Sequence, residues 1–243
     1  MISGFNTIQM KIIRSLIICI SVFLSLIFFS FISQQENHPP VVKIISPQNN
    51  SAFDKDAAVT YKISVSDKED GDSKFDEINV KEVLLEVRYL KNGKAPANPS
   101  GNPGLNMIMG SNCVNCHNFN SKAMGPSFYE ISKRYPSSKA NTDSLVKHIR
   151  GGSTGLWGKE KMPGHPELTA AEAQIIVQWI MKNATDPNVS FYTGTDGYFR
   201  IKASDSQSSK GTYLLTASYT DHGLKDVPGK RLRGQDAVIV TTK

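Results

Sequence analysis

Cys113 and Cys116, followed at once by His117, form the motif Cys113-Val114-Asn115-Cys116-His117. At this spacing, each thiol can add to one vinyl group of a haem, while the adjoining imidazole reaches the iron. The motif therefore predicts one covalently attached haem c, with His117 as an iron ligand.

Two other chemistries also use paired cysteines. A redox-active pair would precede a helix in an α/β pattern and would leave His117 without a role. A structural zinc ion needs four ligands, but the third cysteine, Cys19, lies in an apolar run. We therefore favour haem attachment over both alternatives.

The iron needs a second ligand on the face opposite His117. Met162, in the loop Lys161-Met162-Pro163-Gly164, is the leading candidate, because a thioether opposite an imidazole stabilises ferrous iron. His165 is the alternative ligand. Met162 could instead be an ordinary core residue, which is the usual role of methionine. We predict His117 and Met162 as the metal ligands.

The sequence around these residues has helical periodicity. One helix is predicted from about Leu105 onward, and Thr169 and Glu172 have the spacing of a capping box at the start of the last one. The other predicted helices are Pro126–Tyr135, Asp143–Arg150 and Thr169–Asn183. Met162 would lie in a loop between two of them.

Strand patterns flank the helical region on both sides. Alternating apolar residues predict strands over Val41–Ile45, Val59–Val65 and Val83–Leu90, and again over Tyr198–Ile201, Tyr213–Thr220 and Ala237–Thr241. Either set alone would form a small sheet with exposed edges, whereas together they approach the strand number of an immunoglobulin-like sandwich.

We therefore predict a multi-domain α and β chain, in which an all-α haem domain over 94–187 is inserted in, or flanked by, a β-sandwich. The sandwich would comprise 37–93 and 188–243, and two separate β modules are the alternative. The inserted arrangement requires Leu90 and Ser190 to lie close together.

Residues 1–34 have the pattern of a targeting segment. Leu16–Ile32 is almost wholly apolar and follows Lys11 and Arg14. This segment is either a cleaved signal peptide or an uncleaved N-terminal membrane anchor, and the bulky residues at its end favour the anchor. The positive flank stays in the cytoplasm, so we expect an extracytoplasmic protein, periplasmic or at the cell surface, with inner-membrane anchoring if the segment is retained.

Four motifs together resemble a small bacterial class I cytochrome c. They are the Cys113–His117 motif, Gly125-Pro126-Ser127-Phe128, the run from Gly151 to Gly158, and Met162-Pro163. The resemblance implies that the Pro126 carbonyl accepts the N–H of the proximal imidazole and that the Trp157 indole donates to a haem propionate. The residues expected to line the haem are Phe128, Leu145, Ile149, Ile176 and Trp179. No motif distinguishes them from ordinary core residues.

The flanking regions are similar to PKD-like immunoglobulin domains. The resemblance rests on Asn37–Val42, on Val65–Gly71 and on Gly211–Asp221, although Lys68 replaces a proline often found there. The combination resembles terminal modules of secreted bacterial dehydrogenases and related haem proteins. The acidic stretch Asp67–Asp72 lacks the spacing of an EF-hand, and a solvated turn is favoured over a calcium site.

These features indicate electron transfer rather than an enzyme. A haem-containing interaction module, or a haem sensor whose sandwich binds a protein or a glycan, is the alternative. The formal net charge of +6 is too small to indicate nucleic acid, but it suits docking on an acidic redox partner protein, such as a dehydrogenase or a terminal oxidase. Lys159 and Lys161 are expected near the haem edge.

Overall fold

The computed structural model describes residues 36–91, 93, 101–201, 211–224 and 231–243. The strands within these ranges are β1 (Val41–Ser46), β2 (Ser51–Phe53), β3 (Ala58–Asp67), β4 (Gly71–Asp72), β5 (Leu84–Tyr89), β6 (Val189–Thr193), β7 (Asp196–Arg200), β8 (Thr212–Thr220) and β9 (Arg233–Thr242). The α-helices are α1 (Pro103–Gly110), α2 (Phe128–Arg134), α3 (Lys139–Gly151) and α4 (Ala170–Asn183), and short 3-10 helices cover Ser73–Phe75, Val80–Glu82 and Cys113–Asn115.

The strands form two sheets with a common hydrophobic core. In the first sheet, β3 pairs with β1 along one edge and with β4 and β7 along the other, and the second sheet has the order β2-β9-β8-β5-β6. Alternate side chains of both sheets, among them Ile63 and Val65 from the first and Leu215 and Val240 from the second, are buried together. The two sheets therefore enclose one core.

Strands from both ends of the chain pair with each other. β5 lies between β6 and β8, and Val87 is in register with Ser190. The Tyr89 N–H donates to the Asn188 carbonyl at 2.8 Å. The chain therefore leaves the second sheet after β5 and returns beside the same strand. This is the proximity that an inserted helical domain requires, although the domain boundaries stay a prediction.

Capping residues decide where the helices begin. Ser127 caps α2 with a capping box to Glu130, so this helix starts after the predicted Pro126. Ser138 caps α3, which begins before the predicted Asp143. The Thr169 capping box of α4 is confirmed. The short strands β2, β4 and β6 were not predicted, because they offer few alternating residues.

The helices pack on the outer face of the second sheet. Leu84 of β5 and Phe191 of β6 belong to the same buried cluster as Leu105, Phe119 and Trp179 of the helical region. The prediction of half-buried strands is therefore wrong for β5 and β8, in which residues of both alternating sets are buried. A strand covered on both faces needs no polar side.

The acidic stretch forms a turn at the end of β3, as predicted, and internal hydrogen bonds hold it. Asp67 is buried, and its Oδ1 accepts from the Glu69 and Asp70 N–H groups at 2.9 and 2.7 Å. Asp70 accepts from the Tyr219 hydroxyl at 2.8 Å. Within the described ranges, no group of three or more His, Cys, Asp or Glu side chains could hold a metal ion.

No helix in the described part of the chain is both long and apolar enough to cross a membrane. The predicted targeting segment, residues 1–34, lies outside the described residues.

Candidate cofactor site

One cleft in the helical region is lined by all six residues predicted to bind the cofactor. Its empty volume, including the open solvent at its mouth, is about 1110 Å³. The predicted residues on its wall are Cys113, Cys116, His117, Pro126, Trp157 and Met162. Residues far apart in sequence are thus brought together around one space.

The two thiols lie at the start and just beyond the end of the 3-10 helix Cys113–Asn115, and both are free. Burial raises the pKa of the Cys113 thiol to about 12. A redox-active cysteine needs the opposite shift, because the thiolate is the reactive form. The site therefore disfavours a dithiol redox centre.

His117 is fixed by its backbone neighbour. The ring is 9% exposed, and its Nδ1 lies 2.6 Å from the Pro126 carbonyl oxygen. Because a carbonyl can only accept, Nδ1 carries the proton and Nε2 keeps its lone pair. Burial lowers the pKa of His117, which also favours the neutral ring that a metal requires.

Gly125 and Phe128 pack against this imidazole. A Cβ atom at position 125 would lie 2.6 Å from Cε1 of His117, so only glycine fits there. The Phe128 ring stacks on the imidazole, with 5.7 Å between the ring centroids and 26° between the ring planes. The ring orientation of His117 is thus determined by packing as well as by its hydrogen bond.

Met162 reaches the cleft from a loop that is hydrogen-bonded to the segment just after α3. Its N–H donates to the Ser153 carbonyl at 2.9 Å, and the Ser153 N–H donates back at 3.1 Å. Gly152 has a φ of 78°, and a Cβ atom there would lie 2.7 Å from the Met162 carbonyl oxygen. The close approach of the two segments therefore depends on this glycine.

The rival ligand His165 is not among the described residues that line the cleft. Its Nδ1 pairs with a Glu167 carboxylate oxygen at 2.8 Å. This geometry favours Met162 as the side chain available to a group bound in the cleft.

Trp157 lies beside α2 at the cleft wall. The Arg134 guanidinium sits 4.4 Å from the centroid of its ring, and Tyr135 lies at 6.4 Å. Arg134 also donates to the Leu156 carbonyl at 2.8 Å. The indole is therefore held in place by α2.

The expected apolar walls are present with one exception. Phe128, Leu145, Ile149 and Ile176 line the cleft, whereas Trp179 is absent from the described lining residues and packs towards the second sheet. His148 also lines the cleft, and sequence reasoning missed it. Its spacing from Leu145 and Ile149 places it on the same face of α3, which was the available signal.

The donor set suits a covalently bound haem. One cleft wall combines two free thiols, an imidazole whose Nε2 keeps its lone pair, and a thioether, while its other residues are mainly apolar. Thioether attachment uses both thiols, and imidazole with thioether is a known ligand pair for haem iron.

Part of this chain is similar to known proteins. The Cytochrome c family model matches residues 105–184. Cytochrome c-551 of Stutzerimonas stutzeri is 28% identical over 102 residues, which cover 42% of this chain and 97% of the relative. Cytochrome c-551 of Azotobacter vinelandii is 36% identical over 69 residues, or 28% of this chain and 83% of the relative. The solved structure of Nitrosomonas europaea cytochrome c552 is 29% identical and covers 32% of this chain and 96% of its own, with a TM-score of 0.31.

Proposed function

We propose, since this chain belongs to the cytochrome c family and therefore carries a covalently bound c-type haem with its iron, that it transfers electrons between proteins outside the cytoplasm. The observation that carries the proposal is the single cleft shared by the two thiols, the imidazole and the thioether. A haem bound there supplies an iron that accepts or gives up one electron.

Each residue of the cleft wall has a proposed role. Cys113 and Cys116 attach the cofactor, and His117 and Met162 bind the iron. Pro126 orients the imidazole and increases its basicity through the 2.6 Å hydrogen bond. Trp157, held by Arg134, donates its indole N–H to a propionate.

This ligand set favours an electron carrier over an enzyme or a gas sensor. If His117 and Met162 both bind the iron of a haem in the cleft, they would occupy the positions that a substrate or a gas needs. The backbone bridge between Ser153 and Met162 supports this proposal, because it restrains the loop that carries the second ligand.

The partner is proposed to be an acidic redox protein, such as a dehydrogenase or a terminal oxidase. Lys159 and Lys161 are exposed close to Met162, and Lys161 lines the cleft. Positive charge at the mouth would steer an acidic partner towards it. Covalent haem attachment supports a periplasmic or cell-surface location, reached through residues 1–34.

We also propose that the two sheets form an immunoglobulin-like, PKD-like sandwich, with the haem domain over 94–187 inserted between its parts, 37–93 and 188–243. The pairing of β5 with both β6 and β8 and the common core of the sheets support this division. The sandwich would then support the haem domain and space it from its surroundings.

The Met162→Ala variant of the holoprotein tests the ligand assignment. We expect the ferric protein to lose the weak absorption band that reports methionine–iron ligation and to show a lower reduction potential, because the thioether favours ferrous iron. Optical redox titration measures both.

Met124→Ala is the matched control, because Met124 also lines the cleft but is 62% exposed. It should leave the band and the potential as they are in the parent protein. A Met162→Ala protein that retained the band would rule out Met162 as the ligand.

A further inference from the structure

Phe191 is a residue of the second sheet that faces the helical region. It lies on β6 in register with Glu86 of β5, and it is 8% exposed in the cluster formed by the helices. The next residue, Tyr192, points the other way and lies 6.4 Å from Tyr61 of the first sheet. Phe191 therefore belongs to a strand, but its side chain is buried against the helices.

A row of aromatic rings in contact, two pairs stacked and the middle pair edge-to-face, connects Phe191 with the proposed iron ligand. The centroid of Phe191 lies 4.8 Å from that of Phe119, with 24° between the planes. Phe119 lies 5.4 Å from Phe128, and Phe128 lies 5.7 Å from His117. We call Phe191, Phe119, Phe128 and His117 the aromatic row. Trp179 contacts Phe191 at 5.4 Å and Phe128 at 6.2 Å, which restrains the row from the side.

A hydrogen bond joins the β region to the other side of the histidine. The Asn79 amide donates to the Asn115 side-chain oxygen at 3.2 Å and to a Glu82 carboxylate oxygen at 2.9 Å. Asn115 lies between the two cysteines, and Glu82 is 4% exposed. The segment 115–119, with His117 at its centre, is therefore held from the β region at both of its ends.

We propose that Phe191 is a positioning residue for the imidazole of His117, so that the second sheet helps to set the electronic properties of the haem site. Packed interiors transmit small displacements because they contain little free volume. A change at Phe191 would move Phe119 and Phe128, and so alter the angle of the imidazole and its hydrogen bond to Pro126. Both affect how strongly the ring binds the iron. The inference rests on the proposed role of His117 as an iron ligand.

Phe191→Leu in the full-length holoprotein tests this role. The side chain stays apolar but loses the ring that stacks on Phe119. We expect the equilibrium constant for reduction by a redox dye to change by about threefold. This is less than the roughly tenfold or larger change in metal affinity or activity that follows loss of a residue hydrogen-bonded to a metal-binding histidine. The haem methyl resonances of the ferric protein should also shift in proton NMR spectra, because they depend on the ring orientation of the axial histidine.

Phe199→Leu is the matched control. Phe199 lies on β7, the next strand along the chain, which belongs to the first sheet. It is 1% exposed and packs in the common core of the sheets, where its ring lies 6.4 Å from that of Tyr192. This variant should lower the thermal midpoint about as much as Phe191→Leu, because both lose a similar buried volume. It should leave the dye equilibrium and the haem methyl resonances unchanged.

Two results would overturn the inference. Either Phe191→Leu changes only the thermal midpoint, or Phe199→Leu shifts the haem resonances as much as Phe191→Leu does. If Phe191→Leu gives no haem protein, Phe191→Met replaces it, because methionine fills irregular space in a core. Imidazole resonances of an iron-bound histidine in the parent protein are recorded first, since their absence would contradict the proposed function rather than this role of Phe191.

Discussion

At the scale of single residues, the site depends on how little freedom His117 has. Its Nδ1 is bonded to Pro126, one face packs on Phe128, and Gly125 lies against its Cε1 edge. The two thiols and this imidazole line the same cleft. These contacts explain why the Gly125-Pro126 pair accompanies the cysteine motif.

The Gly125→Ala variant tests the packing at this residue. A Cβ atom 2.6 Å from Cε1 and 2.9 Å from Nδ1 of His117 must displace the ring, because real Cβ contacts are longer. We expect a weaker hydrogen bond to Pro126 and a loss of about 1–3 kcal/mol in the free energy of unfolding. Denaturant titration of the holoprotein measures the loss, and an unchanged unfolding midpoint would show that the ring moves without cost.

Sequence reasoning named six residues that the structure brings to one cleft, but it did not name every neighbour. Cys113, Cys116 and His117 follow a spacing that the chemistry itself imposes, so they can be read from one chain. Trp179 cannot be assigned in this way, because an apolar residue on α4 can face either the cleft or the second sheet. His148 lies on the predicted helix Asp143–Arg150 together with Leu145 and Ile149, but only apolar residues were considered for the cleft wall.

At the scale of elements, the contact between α1 and α4 is unusually close. A Cβ atom on Gly104 of α1 would lie 2.5 Å from the Trp179 Cβ and 2.7 Å from the Ile175 carbonyl oxygen of α4. The two backbones can approach this closely only because position 104 has no side chain.

The Gly104→Ala variant should separate these helices. We expect a loss of about 1–3 kcal/mol in the free energy of unfolding, as for other overpacked sites, with a lower thermal midpoint by circular dichroism. Gly151→Ala is the control, because among the described residues a Cβ atom there would meet nothing within 4 Å. Equal midpoints for the two variants would contradict the close contact.

The elements differ in how well sequence predicts them. The α4 helix was predicted almost to the residue, because Thr169 and Glu172 are local capping signals. The two-sided burial of β5 and β8 was missed, because it depends on a distant layer of helices and not on the alternation within each strand. Short strands such as β2 exist only through pairing with β9, which no local pattern reveals.

At the scale of the whole molecule, one histidine joins segments that are distant in sequence. The Nδ1 atom of His222 lies 3.0 Å from a carboxylate oxygen of Asp70, and its Nε2 atom lies 3.0 Å from a carboxylate oxygen of Glu82. The hydrogen bond with Glu82, supported by the charge of Asp70, raises the pKa of His222 from 6.5 to about 9. The protonated ring therefore stabilises the folded state.

The expected pH dependence follows from this raised pKa. The stabilisation is complete below pH 6.5 and is lost as the pH rises through about 9, because the folded state then releases the proton that it held more tightly. The side chain is 44% exposed, so solvent screening limits the effect to roughly 1 kcal/mol. Thermal midpoints from pH 6 to 10 should fall in the parent protein. They should fall less in His222→Gln, and equal slopes would contradict the assignment.

The return of the chain beside β5 has a consequence for protein engineering. The adjacency of Tyr89 and Asn188 would let a few residues bridge the gap if the intervening stretch were deleted. Such a deletion would nevertheless expose Leu84 and Phe191 to solvent, and the resulting apolar surface would favour self-association. The backbone of the β region could therefore be closed without the helical stretch, but the β region would lose the helices that bury its outer apolar face.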